Sequence, residues 1–599
     1  MINQYIHFRN LRFLLHEVLD AEGLTRFEKH AAYDREAIDM SLDAARQIGD
    51  IHLFPHYREM DKDKARFQDG EVWVHPTLRP AIKALADGGW IAATDDFAAG
   101  GQQMPWTVFN ACLLIFYAAN GNAASYAFLT RGAANLIRTF GDENLNRTFV
   151  PKMYAGDWQG TMALTEPQAG SSLSDITTAA EPQPDGSYRI SGQKIYISGG
   201  DHRAVDNVIH LLLARIKGAP EGARGISLFA VPKFRPEGGE LVANDVVTAG
   251  IFGKMGQKGY VAAHLMLGEK NDCKGYLVGQ PHKGLAHMFL MMNEARVATG
   301  IMAIGTASAA YYAALKYANE RPQGRHPSNK DVAQPQVLII EHADVKRMLL
   351  FQKAVVEGSI ALLLQCSYYA DLATVGLPEE KQRAHLLLEL LTPVAKSYPA
   401  EMGIQAVSTA MQCLGGAGYC DDFPIEQFYR DIRVNAIYEG TTGIHGMDLL
   451  GRKVLLEDGK AMTWLLEEIK AVIESARAID DLRDMAEALE NTVRQFHKTT
   501  LGLIRLAMED KPEVFLADAT LYLEYFGIVV ISWQWLKQAA IATGSLKNST
   551  GEEEKAFYGG KLITARYFIE YELVKTKGLD ERLNRRDRLT LDADPAFIN

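Results

Sequence analysis

The hydrophobic pattern of the chain changes twice, from helical to strand-like and back to helical. Between about Ala37 and Trp158, apolar residues recur every three or four positions, which is typical of helices that bury one face. From about Gly160 to Gly284, short apolar or alternating runs are bounded by Gly and Pro, which is typical of strands. Long helical patterns then return and continue to the end of the chain. We therefore expect a β domain that follows one helical region and precedes another.

The central segment contains six candidate strands. They are Gly160–Thr165, Ser187–Ser198, Val208–Ile216, Gly225–Val231, His264–Leu267 and Tyr276–Val278. The second of these follows a Pro-Asp-Gly turn and alternates apolar with polar residues, as a half-buried strand does. Short strands at such close spacing predict a small barrel or sandwich.

The helical segments are long, and the fold class they predict with the central strands is α+β. The expected long helices are Met288–Ala318, Gln336–Thr374, Glu379–Leu414, Glu513–Thr543 and Glu552–Lys577, with a polar loop at Arg321–Gln336. These patterns divide the chain into five expected parts. They are an N-terminal extension (1–36), an N-terminal helical domain (37–159), a central β domain (160–284), a helical bundle (285–460) and an additional C-terminal helical domain (461–599).

The net charge and the cysteines exclude several classes of protein. A formal charge of −11 over 599 residues argues against nucleic acid as the main partner, which would require a basic face. The five cysteines are scattered and form no CxxC pair, so we expect neither a disulfide framework nor a metal site. No run reaches about 18 consecutive apolar residues, and we expect no transmembrane segment. A cytoplasmic location is the resulting expectation.

The sharpest motif is Arg430-Asp-Ile-Arg-Val-Asn-Ala-Ile-Tyr-Glu-Gly-Thr-Thr-Gly, in which Glu439 is a lone carboxylate. It follows an apolar stretch and precedes a Gly-Thr-Thr-Gly turn that opens a helix. Flanked by Ile437, Tyr438 and Gly440, the carboxylate would be partly desolvated, which raises its pKa and makes it a better base. The residues alone also allow a simpler interpretation, a helix-start glutamate beside the positive end of the dipole.

Two glycine-containing segments are further candidates. Leu164-Thr-Glu-Pro-Gln-Ala-Gly-Ser-Ser172 places small residues and hydroxyls after a strand, where backbone N–H groups can bind a phosphate or a heterocycle. The alternative is a Gly/Ser loop with no ligand. Leu414-Gly-Gly-Ala-Gly-Tyr419 ends a helix in glycines, which is also the ordinary way in which a helix stops.

Five motifs together resemble the successive signatures of the flavin-dependent acyl-CoA dehydrogenase family. They are LTEPQAGSS (164–172), GQKIYISGG (192–200), ANERPQGR (318–325), MQCLGGAGY (411–419) and RDIRVNAIYEGTT (430–442). Their order and spacing are those of the family across roughly residues 37–460. The extended N-terminus and the long helical C-terminus are similar to the subgroup of larger members that includes 3-methylmercaptopropionyl-CoA dehydrogenase and long-chain mycobacterial-type enzymes. The fold implied is a helical domain, a β-barrel and a four-helix bundle, with the additional C-terminal helical domain.

The resemblance implies FAD as cofactor and assigns residues to it. These are Met162, Leu164, Thr165, Ser171, Tyr196, Ser198, Arg321, Gln412, Gly415, Gly416 and Thr441. By resemblance, the first three line the flavin ring, Ser171 lies at the pyrophosphate, and Tyr196 and Ser198 cover the ring near N5. Gln412, Gly415 and Gly416 correspond to contacts on the adenosine side. Arg321 corresponds to a residue that reaches the FAD of a neighbouring subunit, which implies a homodimer or a dimer of dimers.

The implied reaction is α,β-dehydrogenation of a fatty acyl-CoA to the trans-2-enoyl-CoA, as in β-oxidation. Glu439 corresponds to the base that removes the α-proton, while the β-hydrogen leaves as hydride to flavin N5. The implied substrate contacts are Ser171, Arg296, Glu439 and Gly440, with the backbone N–H of Glu439 helping to hold the thioester carbonyl. The implied electron acceptor is an electron-transfer flavoprotein.

Departures from the family pattern and alternative functions remain. Gly443 and His445 stand where members commonly have Gln, and the loop after Arg321 lacks an aromatic residue that shorter members have before its glycine. One alternative is 3-methylmercaptopropionyl-CoA as the substrate, and another is an acyl-CoA oxidase that passes electrons to oxygen. A third is a non-catalytic flavoprotein like the DNA-associated relatives, against which Glu439 and the acidic charge both argue. The length and branching of the acyl chain are left open.

Overall fold

The computed structural model describes residues 5–328, 331–585 and 587–598, and leaves aside the side chains of Leu290 and Asn293. The outermost residues of the expected N-terminal extension and C-terminal domain, 1–4 and 599, lie outside the described residues. The α-helices of the described residues are α1 (Phe8–Arg12), α2 (Arg35–Ile48), α3 (Tyr57–Lys62), α4 (Leu78–Asp87), α5 (Trp106–Phe140), α6 (Glu143–Tyr154), α7 (Gly284–Glu320), α8 (Ala343–Val375), α9 (Pro378–Leu414), α10 (Ile425–Ile432), α11 (Thr442–Gly451), α12 (Lys460–Arg477), α13 (Arg483–Glu509), α14 (Pro512–Leu516), α15 (Ala519–Asn548), α16 (Glu552–Tyr567), α17 (Thr576–Arg585) and α18 (Leu589–Asp592).

The strands lie in two groups, a short N-terminal hairpin and the central segment. They are β1 (Arg66–Gln68), β2 (Glu71–Trp73), β3 (Trp158–Ala163), β4 (Ala179–Pro182), β5 (Tyr188–Ser198), β6 (Asn207–Ile216), β7 (Ile226–Pro232), β8 (Phe234–Glu237), β9 (Glu240–Ala243), β10 (Val246–Ile251), β11 (Ala262–Leu267) and β12 (Lys274–Leu277). The six strands expected in the central segment are all present, with ends that differ by one or two residues. The predicted order of helical, β and helical regions is confirmed.

The central sheet closes on itself. Its strand order is β10-β11-β5-β12-β7-β6-β3, and β4 pairs with both β5 and β6. The strands β5, β12, β7, β6 and β4 therefore form a closed ring, so that of the two expected closures, a small barrel or a sandwich, the structure shows the barrel. Strand β3 extends the sheet by pairing in parallel with β6, with Trp158 opposite Asn207.

The chain forms two compact units. The helical unit comprises Met1–Leu42, Pro105–Leu114 and Arg296–Asn599, and the β unit comprises Asp43–Met104 and Ile115–Ala295. In the β unit, Phe149 and Met153 of α6 are buried against apolar residues of β6 and β7. In the helical unit, the long helices α8 and α9 pack along one another and against α15.

Three helices are individually long and apolar enough to cross a membrane, although none contains an uninterrupted run of about 18 apolar residues. In a search of the described residues these are α5, α7 and α8, with mean hydropathies of 1.2, 1.2 and 1.4 over an 18-residue window. Within those windows, 83, 83 and 89% of the residues are buried inside the protein. Their apolar side chains are thus used in packing.

Three expected helices differ from the observed ones. The helix expected over Glu552–Lys577 ends as an α-helix at Tyr567, and α16 is followed by a π turn (Phe568–Glu572), a 3₁₀ turn (Leu573–Lys575) and the start of α17. The helix expected from Gln336 begins only at Ala343, because the preceding residues pair with the chain after α7: Ile339 donates to the carbonyl of Arg321 and Val337 to that of Gly324. The helix expected from Glu513 to Thr543 is two helices, α14 and α15. Asp518, at the junction, binds Arg582 at 3.0 Å and stands outside both helices.

Candidate active site

Glu439 lies in a short loop with an unusual backbone. The loop connects a 3₁₀ turn (Arg433–Ala436) to α11, and Thr441 caps that helix by accepting the N–H of Ile444 at 3.4 Å. Glu439 has φ +55° and Gly440 has φ +85°, so two successive residues are left-handed. Glycine adopts this conformation freely, whereas a glutamate does so at a cost of roughly 1–3 kcal/mol. Strain of this kind persists only where surrounding contacts hold it.

Two buried side chains hold the loop by its carbonyl groups. Lys396 of α9 donates from Nζ to the carbonyl of Gly440 at 2.7 Å, and His445 of α11 lies with Nε2 3.0 Å from the carbonyl of Glu439. Neither side chain is exposed to solvent. A Cβ added at Gly440 would lie 2.9 Å from the same His445 nitrogen, so the loop approaches the ring closely.

The carboxyl group of Glu439 is half-buried beside two cations. Burial raises the pKa of Glu439 above its usual value, although the positive charges of Arg296 and Lys396 act in the opposite direction. The nearby cations favour the ionised form of such a carboxylate, and its partial desolvation makes it a stronger base. This combination is what a general base requires.

Helix α7 contributes to the same site. Arg296, about a third of the way along this helix, is 8% exposed and its charge acts on Glu439. Two turns further along, Met302 accepts a hydrogen bond from the hydroxyl of Tyr438 at 3.4 Å. The residue before Glu439 is thus anchored to the helix that supplies the cation, and the structure brings Arg296 close to Glu439 and Gly440.

The β unit carries the residues expected around the flavin ring. Ile195 of β5 donates to the carbonyl of Thr165 at 3.0 Å, which places the segment after β3 alongside β5. Met162, Leu164 and Thr165 are half-buried there, and Ser198 at the end of β5 is half-buried as well.

Tyr196 and Ser171 extend this edge of the β unit. Tyr196 has φ +58°, and its ring is 59% exposed and lies 4.2 Å from that of Phe252. Ser171 is exposed on the loop that follows. An apolar edge with hydroxyls and an exposed aromatic ring fits a planar heterocycle, so these residues suit FAD.

An ion pair that sequence reasoning did not select holds this loop. Glu166 and Lys194 meet at 2.8 Å, and both side chains are fully buried. Lys194 also donates to the carbonyl of Leu164 at 3.0 Å, while Glu166 accepts the N–H groups of Thr177 and Thr178 at 2.7 and 3.1 Å. Lys194 and these donors hold the pKa of Glu166 at about 2.

The remaining predicted FAD residues lie elsewhere on the helical unit. Gln412, Gly415 and Gly416 are exposed at the end of α9, about 24 Å along that helix from Lys396 at 1.5 Å per residue. Arg321, also exposed, follows the end of α7, and Tyr317 on that last turn lies 5.4 Å from Phe423, just after the glycines. The structure does not bring this group to Glu439. Thr441 is exposed beside the base.

Sequence reasoning missed Lys396, although a signal was present. It is the one charged residue in the run Leu390-Leu-Thr-Pro-Val-Ala-Lys-Ser-Tyr-Pro-Ala400 of α9. A lysine in such a run must either reach solvent or find a buried partner, because an unpaired buried ammonium is costly. His445 was recognised only as a departure from the family pattern.

Four family models match consecutive parts of the chain. The acyl-CoA dehydrogenase N-terminal domain matches residues 35–157, the middle domain 161–268 and the C-terminal domain 282–455. The model described as acetyl-CoA dehydrogenase C-terminal like matches residues 465–594. Together they cover most of the chain.

Named relatives extend over nearly its whole length. The 3-methylmercaptopropionyl-CoA dehydrogenase of Ruegeria pomeroyi is 36% identical over 525 residues, which are 87% of this chain and 88% of the relative. A butyryl-CoA dehydrogenase of Syntrophomonas wolfei is 32% identical over 585 residues, or 95% and 94%. The crystal structure of an acyl-CoA dehydrogenase from Bacillus anthracis complexed with FAD shares the fold, with a TM-score of 0.73 at 18% identity over 96% of this chain and 91% of that one. The chain belongs to the acyl-CoA dehydrogenase family, whose members are FAD-dependent oxidoreductases that act on acyl-CoA.

Proposed function

We propose that this enzyme converts a fatty acyl-CoA to the trans-2-enoyl-CoA, with Glu439 as the base that removes the α-proton. The observation that carries the proposal is the setting of Glu439, a half-buried carboxyl with a raised pKa beside Arg296 and Lys396 on a strained loop. FAD, when bound, supplies the two-electron acceptor for the hydrogen that leaves the β-carbon. The residues proposed to bind FAD are those that the family resemblance assigns to the cofactor, Met162, Leu164, Thr165, Ser171, Tyr196, Ser198 and Thr441.

The residues around Glu439 support the chemistry of α-proton removal. As the proton leaves, negative charge develops on the thioester oxygen, and preorganised donors there lower the barrier most. In the described part of the chain, the N–H of Glu439 takes part in no backbone hydrogen bond. It is therefore available for the thioester carbonyl, and the carboxylate of the same residue is available for the proton.

The relatives support a choice of electron acceptor and of candidate acyl groups. All four matching models and both named relatives are dehydrogenases, which supports an electron-transfer flavoprotein rather than oxygen as the acceptor. The names of the two relatives specify short linear acyl groups, 3-methylmercaptopropionyl and butyryl. A panel from butyryl-CoA to long-chain acyl-CoA, including 3-methylmercaptopropionyl-CoA, with a dye acceptor ranks the substrates. Peroxide release in air would instead indicate an oxidase.

A homodimer or a dimer of dimers is part of the proposal. Arg321, Gln412, Gly415 and Gly416 are exposed at one end of the helical unit, away from Glu439. A Cβ at either glycine would meet no atom within 4 Å, so the backbone there is open to a ligand. We assign this end to the adenosine part of an FAD bound mainly by a neighbouring subunit. Analytical ultracentrifugation of the FAD-loaded enzyme tests the assembly.

The test of the base is Glu439→Gln. This variant keeps the shape of the side chain and removes its basicity, so we expect normal FAD content and a loss of about 10²–10⁴-fold in kcat. Glu524→Gln is the matched control, because burial also raises the pKa of that carboxyl but it lies on α15 outside the loop. Near-normal turnover of Glu439→Gln would refute the assignment.

A further inference from the structure

We propose that Lys396 and His445 are positioning residues for the base, because they bind two successive carbonyl groups and so fix the direction of the Glu439 carboxylate and N–H. The inference rests on the proposed function, since it gives both residues a role relative to Glu439. Neither residue acts on the substrate itself in this proposal. They hold the loop from two different helices, one from α9 and the other from α11.

The contact of His445 fixes the state of its ring. A carbonyl oxygen only accepts hydrogen bonds, so the Nε2 that lies 3.0 Å from the carbonyl of Glu439 must carry a proton. Burial lowers the pKa of His445 to about 4, which keeps the ring neutral at physiological pH. In the described structure, the other ring nitrogen is buried without a hydrogen-bond partner. His445 thus has one defined task, the donation to the loop.

Both donors are needed because the loop is strained. Glu439 and Gly440 are left-handed in succession, and the glutamate would relax toward negative φ if its carbonyl were released. Such a relaxation turns the peptide on both sides of the residue. It would therefore move the side chain and the N–H together, and a displacement of about 1 Å at a reacting group can cost on the order of 10²-fold in rate.

Lys396 also contributes charge. The charged groups that act on Glu439 are Arg296 from α7 and Lys396 from α9. Lys396 in turn is acted on by Glu439, Glu401 and Arg296, and burial lowers its pKa to about 8, so most of its charge remains at pH 7. His445 is acted on by Lys396, Arg296 and Asp448. Because a nearby cation favours the ionised carboxylate, loss of Lys396 raises the pKa of Glu439.

Two substitutions at His445 distinguish the effect of its hydrogen bond on kcat from the effects of side-chain volume and polarity. In His445→Gln the amide nitrogen reaches about as far as Nε2 and can donate to the same carbonyl, whereas in His445→Asn it is too short. We expect the asparagine variant to lose about 10–100-fold in kcat with a much smaller change in KM, and the glutamine variant to recover most of that loss. FAD content and melting temperature establish that each variant is folded.

Lys396→Met adds a pH readout. We expect a lower kcat at pH 7 and an acid limb of the kcat profile that shifts to higher pH, because the base now ionises at higher pH. Lys537→Met is the matched control. Burial likewise lowers the pKa of Lys537 to about 8, but Lys537 donates to the side chain of Gln365 at 3.0 Å and should leave the profile unchanged.

The outcomes distinguish this inference from the proposed function. If His445→Asn equals His445→Gln in kcat, or if Lys396→Met keeps the wild-type kcat and pH profile, the positioning role is wrong while an inactive Glu439→Gln still supports the base. If Glu439→Gln is active, the proposed function itself fails. Should Lys396→Met not fold, the asparagine and glutamine pair at His445 decides the question alone.

Discussion

The ion pair of Glu166 and Lys194 shows how two residues hold one edge of the β unit. Lys194 contacts the chain before Glu166, and Glu166 contacts the chain eleven and twelve residues later, so the pair fixes both ends of the loop that carries Thr165 and Ser171. Because both groups are fully buried, each depends on the other for its charge. The pair is therefore a structural element of the proposed cofactor site.

Removing one partner of this pair should destabilise the β unit. Lys194→Met leaves the Glu166 carboxylate buried and unpaired, and we expect a loss of about 3–5 kcal/mol in the stability of the β unit together with weaker FAD binding. Lys217→Met is the control, since Lys217 is 74% exposed where it pairs with Glu181 and should change stability by less than about 1 kcal/mol. Thermal melting and flavin fluorescence measure the two effects. Equal melting temperatures for both variants would contradict the argument.

At the same scale, the sequence selected Glu439 as the candidate base but did not indicate the contacts that hold it. The motif around Glu439 selects that residue, and its apolar neighbours predict the raised pKa. The positive φ of a glutamate and the carbonyl contacts of Lys396 and His445 depend on how α9, α11 and the loop meet. No local pattern encodes such a meeting, because the two donors stand 43 residues before and six residues after Glu439.

Among the elements, α15 packs closely against α8, α9 and α11, and a glycine lies at each of the three contacts. A Cβ at Gly358 of α8 would lie 2.6 Å from Trp535, and one at Gly527 of α15 itself would lie 2.6 Å from the ring of Tyr398 on α9. At Gly446 of α11, a Cβ would lie 2.7 Å from the carbonyl oxygen of Ala519. The helix that carries His445 is thus seated directly on the backbone of the C-terminal segment.

Gly446→Ala should therefore disturb the position of His445, although Gly446 itself contacts α15 and not the loop of Glu439. Its methyl group meets backbone that cannot rotate away, so we expect a loss of roughly 1–3 kcal/mol and a lower kcat as α11 shifts. Gly443→Ala in the same helix is the stability control, because its nearest atoms would be 3.9 Å away and alanine favours helix by about 1 kcal/mol. Melting curves and steady-state kinetics compare the two. A Gly446→Ala variant as stable and active as Gly443→Ala would show that the contact is unimportant.

Element positions were predictable where a local pattern decides them. Glu379 and Leu414 bound α9 within one residue, because Pro378 can begin a helix and Gly415 ends it. The late start of α8 and the break before α15 were not predictable. Before α8, the carbonyl groups of Arg321 and Gly324 accept hydrogen bonds from the backbone, and before α15, Arg582 forms an ion pair with Asp518. These partners lie outside the local sequence window, so no local pattern indicates them.

At the scale of the whole molecule, the N-terminal extension and the C-terminal helices meet at one buried lysine. Lys561 of α16 donates to Glu357 of α8 at 2.8 Å, to Gln538 of α15 at 2.9 Å and to Asn10 of α1. Four elements from both ends and the middle of the chain thus share one ammonium group. The C-terminal helices thus belong to the same compact unit as the long helices α8 and α9.

A chain that ends at about residue 460 should consequently not form a stable, FAD-binding protein. Removal of α12–α18 uncovers the faces of α8, α9 and α11 that pack on α15, and large exposed apolar surfaces lead to aggregation. We expect the truncated protein to aggregate or to lose FAD, which size-exclusion chromatography and flavin absorbance measure. A truncated enzyme that stays soluble and active on every acyl chain would show that the segment is dispensable.

The helical unit consists of three stretches of chain, and this arrangement imposes an order on its synthesis. About 250 residues separate Leu42 from Arg296, apart from the short return at Pro105–Leu114. At translation rates of about 5–20 residues per second, the first stretch waits roughly 12–50 s for the chain it packs against. The β unit is complete before the largest stretch of the helical unit, from Arg296 onward, has been made. On the ribosome, the apolar faces of α1 and of the residues after it therefore stay exposed until those later helices have been made.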